Sequence, residues 1–402
     1  MRKPPLLLFF ILFGTMFLFG FVENFKSISY PLIKTDFDIT YNQQGAMVSF
    51  MSFGYMLFCL IGGILLGSFG LKKALITGYM LMFVGLLGMF FMPNFLPLVA
   101  SLFLVFASFG IYSVSLNAMA TRLFSVKVAL LMSLLHFFYG VGSSISSRAA
   151  GFIASVLGWR QAYLISIPLV LALFIPSLFT SFPQINDNDT KKKGILNAFK
   201  TPMVWLFSAV LGLSIVVEIC SPNWAGLYFL DVYKLDPRTT GAAFISNYFI
   251  LFTISRLLSG FVIEKTGYLR CLFISGLAAV LIFFMGFLFG ANGMYILPGL
   301  GLFTAIFWPT TMAIAMGYFR QDAPIMTSAI IIISGALNSS IQFLIGVINR
   351  LAGPAWGYRS CLLYALFLVV FIVMLTRRIR NGSPYIPVTA RQTYEPSTGS
   401  EQ

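Results

Sequence analysis

Apolar stretches of about 20 residues recur along the whole chain, each long enough as a helix to cross a hydrocarbon core of about 30 Å. They are interrupted at short polar or turn-forming clusters. In the first half these are KTDFDITYNQQ (34–44), GSFGLKK (67–73), MPNF (92–95), TRLFSVK (121–127) and LGWRQ (157–161). A longer polar segment, PQINDNDTKKKG, begins at 183. In the second half they are LDVYKLDPRTT (230–240), EKTGYLR (264–270), GANG (290–293), YFRQDAP (318–324) and RLAGPAWGYR (350–359). Eleven interruptions predict twelve membrane helices. The polar segment divides them into an N-terminal six-helix unit (1–182), a linker (183–200) and a C-terminal six-helix unit (201–376). A tail rich in Pro, Ser and Thr follows (377–402) and is expected to be disordered.

Composition agrees with this pattern. The 402 residues are 58% hydrophobic and 9% charged, against about 25% charged in a soluble domain. The first apolar run, LLLFFILFGTMFLFGFV, follows Arg2 and Lys3. It is longer than a signal-peptide core and has no small-residue cleavage pattern, so it reads as the first membrane helix. The four cysteines (Cys59, Cys220, Cys271, Cys361) lie in or beside apolar segments with no metal-site or disulfide spacing. No metal or cofactor is expected.

Basic residues orient the helices. With the N-terminus inside, 17 Lys and Arg fall in cytoplasmic segments and 6 in outer loops. That bias follows the positive-inside rule and places both termini in the cytoplasm of a multi-pass plasma-membrane protein. The net charge of +14 therefore reflects topology and contact with anionic lipid, for which KKK (191–193) is a candidate. A nucleic-acid partner is not implied, because the basic residues are scattered over loops.

The halves repeat one another. GGILLGSFGLKK (62–73) and SGFVIEKTGYLR (259–270) align at an offset of 197. Gly63, Gly67–Ser68, Gly70 and Lys73 fall on Gly260, Glu264–Lys265, Gly267 and Arg270, with Lys72 beside them. Repeated halves place a substrate site at the midplane between two rocking bundles.

These loops resemble the signature of the major facilitator superfamily, Gly-x-x-x-Asp-Arg-x-Gly-Arg-Lys, found after its second and eighth helices. The second copy here is close to that pattern. The first has Gly67 and Ser68 in place of the acid–base pair, which weakens the charge lock expected there. The resemblance implies an all-α fold of two pseudo-symmetric six-helix bundles. A narrower resemblance joins GIYSVSLNAMATRLF (110–124), LLHFFYGVGSSIS (134–146) and IFWPTTMAIAMGYF (306–319) to the fucose–galactose–glucose proton symporter branch. The chain departs from that branch at Ser27, four residues before Pro31, and at Ser113, both of which stand where the branch carries carboxylates. It departs again at Ser147–Arg148, which replace a Gly-Pro pair.

Polar residues inside the apolar runs are the site candidates. Glu23 lies about 16 Å along its helix from the Lys34 loop. A charge at that depth costs about 2.5–3.5 kcal/mol on insertion scales, so it usually faces a partner or a cavity. Lys26 is at i+3, on the same face, and Ser27 and Tyr30 extend the stripe. Two readings fit: a self-neutralising pair near the interface, or a cavity-lining pair in which Glu23 takes the coupling proton. Glu218 sits at the matching place on helix seven, at an offset of 195, ahead of Pro222, which should break or kink that helix. Trp224 reads as a sugar-stacking ring or an interfacial anchor. Arg148 reads as an outward snorkel or as a clamp on an anionic substrate. His136, the only histidine, reads as a hydrogen-bonded structural residue or a proton relay. Arg256 is expected to brace the cytoplasmic end of helix eight. Asn117, Asn247, Asn338 and Gln342 should bond either substrate or a neighbouring helix.

Together these features predict a secondary transporter that is not an enzyme. It would move a sugar or sugar-like solute with protons, and it is expected to be a monomer. The alternative is a proton-driven exporter of drugs or of an anionic metabolite. No Gly-x-x-x-x-Gly-Lys loop for ATP is present in the sequence.

Overall fold

The computed structural model describes residues 6–123, 128–184 and 198–382. The described residues fold into helices joined by short connections, with no strand among them. The basic run at 191–193, the rest of 185–197 and the tail from 383 onward lie outside the described residues.

Helix α1 (Leu6–Glu23) is followed after a two-residue turn by α2 (Lys26–Asp36). Next come α3 (Tyr41–Phe91), α4 (Phe95–Leu123), α5 (Val128–Val156), α6 (Trp159–Ile165) and α7 (Ile167–Phe179). In the second half, α8 (Pro202–Cys220) runs through a π-turn, Ser221–Ala225, into α9 (Gly226–Tyr233). A second π-turn, Pro237–Gly241, opens α10 (Ala242–Thr266). The remainder are α11 (Tyr268–Leu288), α12 (Leu300–Thr304), α13 (Phe307–Phe319), α14 (Ala323–Ala352) and α15 (Pro354–Gly382).

Ten stretches among the described residues are long and apolar enough to cross a membrane. One of them, α3, has 51 residues and would be about 75 Å long if straight. The interruption predicted at 67–73 is a single non-helical residue within it, Gly70 (φ 82°, ψ 169°). A side chain resists that backbone region and glycine does not. Gly267 (φ 80°) plays the matching part between α10 and α11. Pro222, expected to disturb its helix, lies inside the π-turn Ser221–Ala225, where the widened ladder accommodates the missing N–H. α15 continues past Arg377 to Gly382.

The two halves of the chain meet along two seams, α3 with α14 and α5 with α10. Contact is tight at the end of the molecule carrying Phe37–Thr40 and Lys234–Asp236, here called the distal end. A Cβ on Gly45 would lie 2.7 Å from the Gly346 Cα, and one on Gly226 would lie 2.7 Å from the Ser27 carbonyl oxygen. Tyr41 donates a hydrogen bond to Asp231 at 2.8 Å across the same divide. At mid-length Ser49 donates to the Ser339 carbonyl at 2.8 Å. At the opposite, proximal end a Cβ on Gly63, Gly67, Gly70, Gly260 or Gly267 would meet nothing within 4 Å.

Candidate functional site

The site begins with the contact of α1 and α5. Gly20 lies against the Tyr139 carbonyl and Gly142 against the Phe17 carbonyl, so neither position has room for a side chain. This close approach sets the Tyr139 ring beside the end of α1. There the hydroxyl of Tyr139 donates to Glu23 Oε2 at 2.7 Å. Glu23 Oε1 accepts from Lys26 Nζ at 2.9 Å. Lys26 is 5% exposed and Glu23 17%, and Lys26 also lies 5.6 Å from the Phe106 ring centroid. The turn at Asn24–Phe25 is held by Asn24, which donates to the Gly20 carbonyl and to Ser143 Oγ, both at 3.0 Å.

Glu218 faces this group from the second half. It is half-buried, two residues before the end of α8, and its carboxyl lies within electrostatic reach of Arg256, Glu23 and Lys26. Its backbone carbonyl accepts from the Tyr248 hydroxyl at 2.8 Å. Its carboxylate makes no hydrogen bond among the described residues. The Arg256 guanidinium lies 4.8 Å from the Phe252 ring centroid and within electrostatic reach of Glu218 and His136. His136 is half-buried. Thus Glu23, Lys26, Tyr139 and His136 from the first half and Glu218 and Arg256 from the second form one charged cluster.

The other candidates divide. Asn117 Nδ2 donates to the Ser113 carbonyl at 2.6 Å, and Ser113 Oγ pairs with the Tyr55 hydroxyl at 3.1 Å. All three side chains are half-buried, and Tyr55 is in electrostatic contact with Glu23. Ser27 turns away: it donates to the Asn24 carbonyl at 2.7 Å and pairs with Ser147 at 3.1 Å, so it packs α2 against α5. Trp224 is 1% exposed, and its indole N–H donates to Gln342 Oε1 at 2.8 Å. Asn223 donates to the same oxygen at 3.1 Å, and Gln342 donates to Asn338 Oδ1 at 3.3 Å. Gln342 thus bonds a neighbouring element, Asn338 bonds Gln342 within α14, and the Trp224 ring is enclosed. Arg148 is exposed and donates to Asn247 Oδ1 at 3.1 Å, away from the cluster.

At the proximal end, Lys72 donates to the Leu178 carbonyl at 2.6 Å and Lys73 lies 5.5 Å from the Phe69 ring. Glu264, Lys265 and Arg270 form no ion pair; the Glu23–Lys26 pair is the one present among the described residues. The charge lock of the loop signature is therefore not engaged in this conformation.

The model of the Major Facilitator Superfamily matches residues 12–341. The chain belongs to that superfamily. It is a multi-pass membrane protein of a transporter family. Among curated proteins it is 24% identical over 388 residues to the L-fucose-proton symporter of Escherichia coli (strain K12), covering 86% of this chain and 87% of the relative. It is 19% identical over 315 residues to the TsgA homolog of Buchnera aphidicola subsp. Schizaphis graminum, covering 77% of this chain and 80% of that protein. A crystal structure of the E. coli fucose:proton symporter superposes with a TM-score of 0.65 at 18% identity, covering 91% of this chain and 97% of that one. A POT family transporter in complex with 5-aminolevulinic acid superposes at 0.74 and 12% identity, covering 92% and 96%. The superfamily fold and the likeness to the fucose branch are thus shown.

The sequence did not single out Tyr139, Tyr55 or Tyr248. Tyrosines in an apolar helix are common packing residues. The available signal was spacing: Tyr139 is one turn beyond His136, on the face that the histidine marks.

Proposed function

We propose that this transporter works by alternating access, coupling proton movement through Glu23 and Glu218 to the uptake of a sugar or sugar-like polar solute. The observation that carries the reading is that Glu23 and Glu218, from the two halves, lie within electrostatic reach of one another in an interior that is otherwise almost uncharged. Ionisable groups at membrane depth are costly, and in transporters they mark ion and substrate paths. Among the described residues the Glu218 carboxylate has no ion pair and no hydrogen bond, which makes it the carboxyl free to accept a proton. Glu23 is held by Lys26 and Tyr139.

The fold reading goes with this. Gly70 divides the 51-residue helix α3 into two spans, and α5, with 29 residues, is long enough for a twelfth. The two bundles are then 1–182 and 201–376, with the proximal end and both termini at the cytoplasmic face of the plasma membrane. We read the conformation as inward-facing, because the two halves are in close contact at the distal end.

The charges of the site favour a solute without net charge. Lys26 is paired with Glu23, and Arg256 and Glu218 lie within electrostatic reach of each other, so the charges of the cluster balance. The exporter reading leaned on Arg148 as an anion clamp, and Arg148 points elsewhere.

Purified protein in liposomes tests the coupling. Imposing an inward proton gradient should drive accumulation of labelled sugar, and Glu218→Gln should abolish that response. Uptake that ignores the gradient in both proteins would remove the proton-coupling claim.

A further inference from the structure

Arg148 stands on the outward face of α5. Its neighbours at i−3 and i+4, Ile145 and Phe152, are 48% and 70% exposed, and in a membrane protein such a face meets acyl chains. Asn247, which accepts its hydrogen bond, is exposed on α10 in line with Ile250 and Ile254. Arg148 lies eight residues before the end of α5, about 12 Å along the axis. The hydrocarbon leaflet is about 15 Å deep. A guanidinium there is one hydrogen bond short of a counter-charge: no carboxylate pairs with it among the described residues, where the ion pair present is Glu23–Lys26.

A second arginine lies at the same seam. Arg238, exposed in the π-turn before α10, has its backbone carbonyl against Gly151, one turn along α5 from Arg148. The nearest acid, Asp236, uses its carboxylate to cap the Arg238 backbone N–H at 2.8 Å and forms no ion pair with either arginine.

We propose that Arg148 and Arg238 bind the phosphodiester headgroup of a membrane phospholipid in the distal leaflet, with its acyl chains running toward the midplane along Ile145. Guanidinium pairs suit phosphate because their N–H groups match its oxygens. Arg148 comes from the first half and Arg238 from the second. The phospholipid therefore spans the α5–α10 seam while the distal end is shut, and it favours that state over the one in which the halves part there.

Native mass spectrometry of the full chain, extracted mildly from membranes, tests this. The wild type should retain one more phospholipid per chain than the double variant Arg148→Gln/Arg238→Gln. Asn247→Asp supplies a counter-charge from within the protein, and in it retention should fall about tenfold, the worth of one charge-assisted hydrogen bond. That variant keeps the seam packed, so it stands if the double variant fails to fold. Added inorganic phosphate at millimolar concentration should not displace the lipid. Unchanged phospholipid retention in Asn247→Asp overturns the proposal. Displacement by inorganic phosphate overturns it as well, showing a site for free phosphate in place of lipid.

Discussion

Tyr139 and Glu23 are joined by a 2.7 Å hydrogen bond between α5 and the end of α1. It exists because Gly20 and Gly142 let the two helices touch backbone to backbone. The bond occupies one carboxylate oxygen, and Lys26 occupies the other.

That arrangement predicts a strongly non-additive pair. Lys26→Met leaves the Glu23 charge with the tyrosine alone, and breaking a buried ion pair from one side costs about 3–5 kcal/mol. Lys26→Met with Glu23→Gln removes both charges and should recover most of the lost stability. Thermal unfolding of the purified variants in detergent gives the double-mutant cycle. Equal losses in the single and double variants would mean the pair is not coupled.

Glu23 and Glu218 should differ in kind. Glu218→Gln removes a carboxylate that makes no hydrogen bond among the described residues, so stability should change by less than about 1 kcal/mol, while gradient-driven uptake is lost and solute exchange at equal pH persists. Glu23→Gln strands Lys26, and should lower stability as well as uptake. Counterflow and accumulation assays on the same liposomes separate the two effects.

What the sequence disclosed follows from where its signals were loud. Charge at membrane depth is costly, so Glu23, Lys26 and Glu218 stood out by residue type alone, and the repeat placed the two acids in matching positions. Gly70 and Gly267 were visible because positive φ leaves few residue choices. Uncharged partners carry no such mark. Trp224 reads as a stacking platform on an apolar helix, and only the fold brings Gln342 to its indole N–H. Arg256 sits one turn from Gly260 and so read as part of the loop motif. Its direction toward Glu218 depends on how α10 is rotated, which periodicity in a uniformly apolar helix does not specify.

The Gln342 amide oxygen serves two donors, Trp224 at 2.8 Å and Asn223 at 3.1 Å. Gln342→Leu would leave both unpaired in a buried location. Each such group costs about 1–3 kcal/mol. The melting temperature should fall clearly more than in Gln342→Glu, which keeps an acceptor. If leucine is tolerated as well as glutamate, the network contributes nothing to stability.

Closure of the distal end rests on Gly45 and Gly346, where a side chain on either would press into the partner's backbone at 2.6–2.7 Å. Backbone cannot move aside as a flexible side chain can, so Gly346→Leu should hold the two halves apart there. Overpacking of this kind costs about 1–3 kcal/mol, which shifts the balance between the closed and open distal ends about five- to hundredfold toward open. Tyr41 lies at the same end and bonds Asp231 across the gap, so Tyr41→Cys reports on it directly. With the four native cysteines (Cys59, Cys220, Cys271, Cys361) replaced by serine, a membrane-impermeant maleimide should label Tyr41→Cys slowly in the parent and much faster with Gly346→Leu, while uptake slows. Equal labelling rates in the two proteins would show that the glycine contact does not keep the distal end shut.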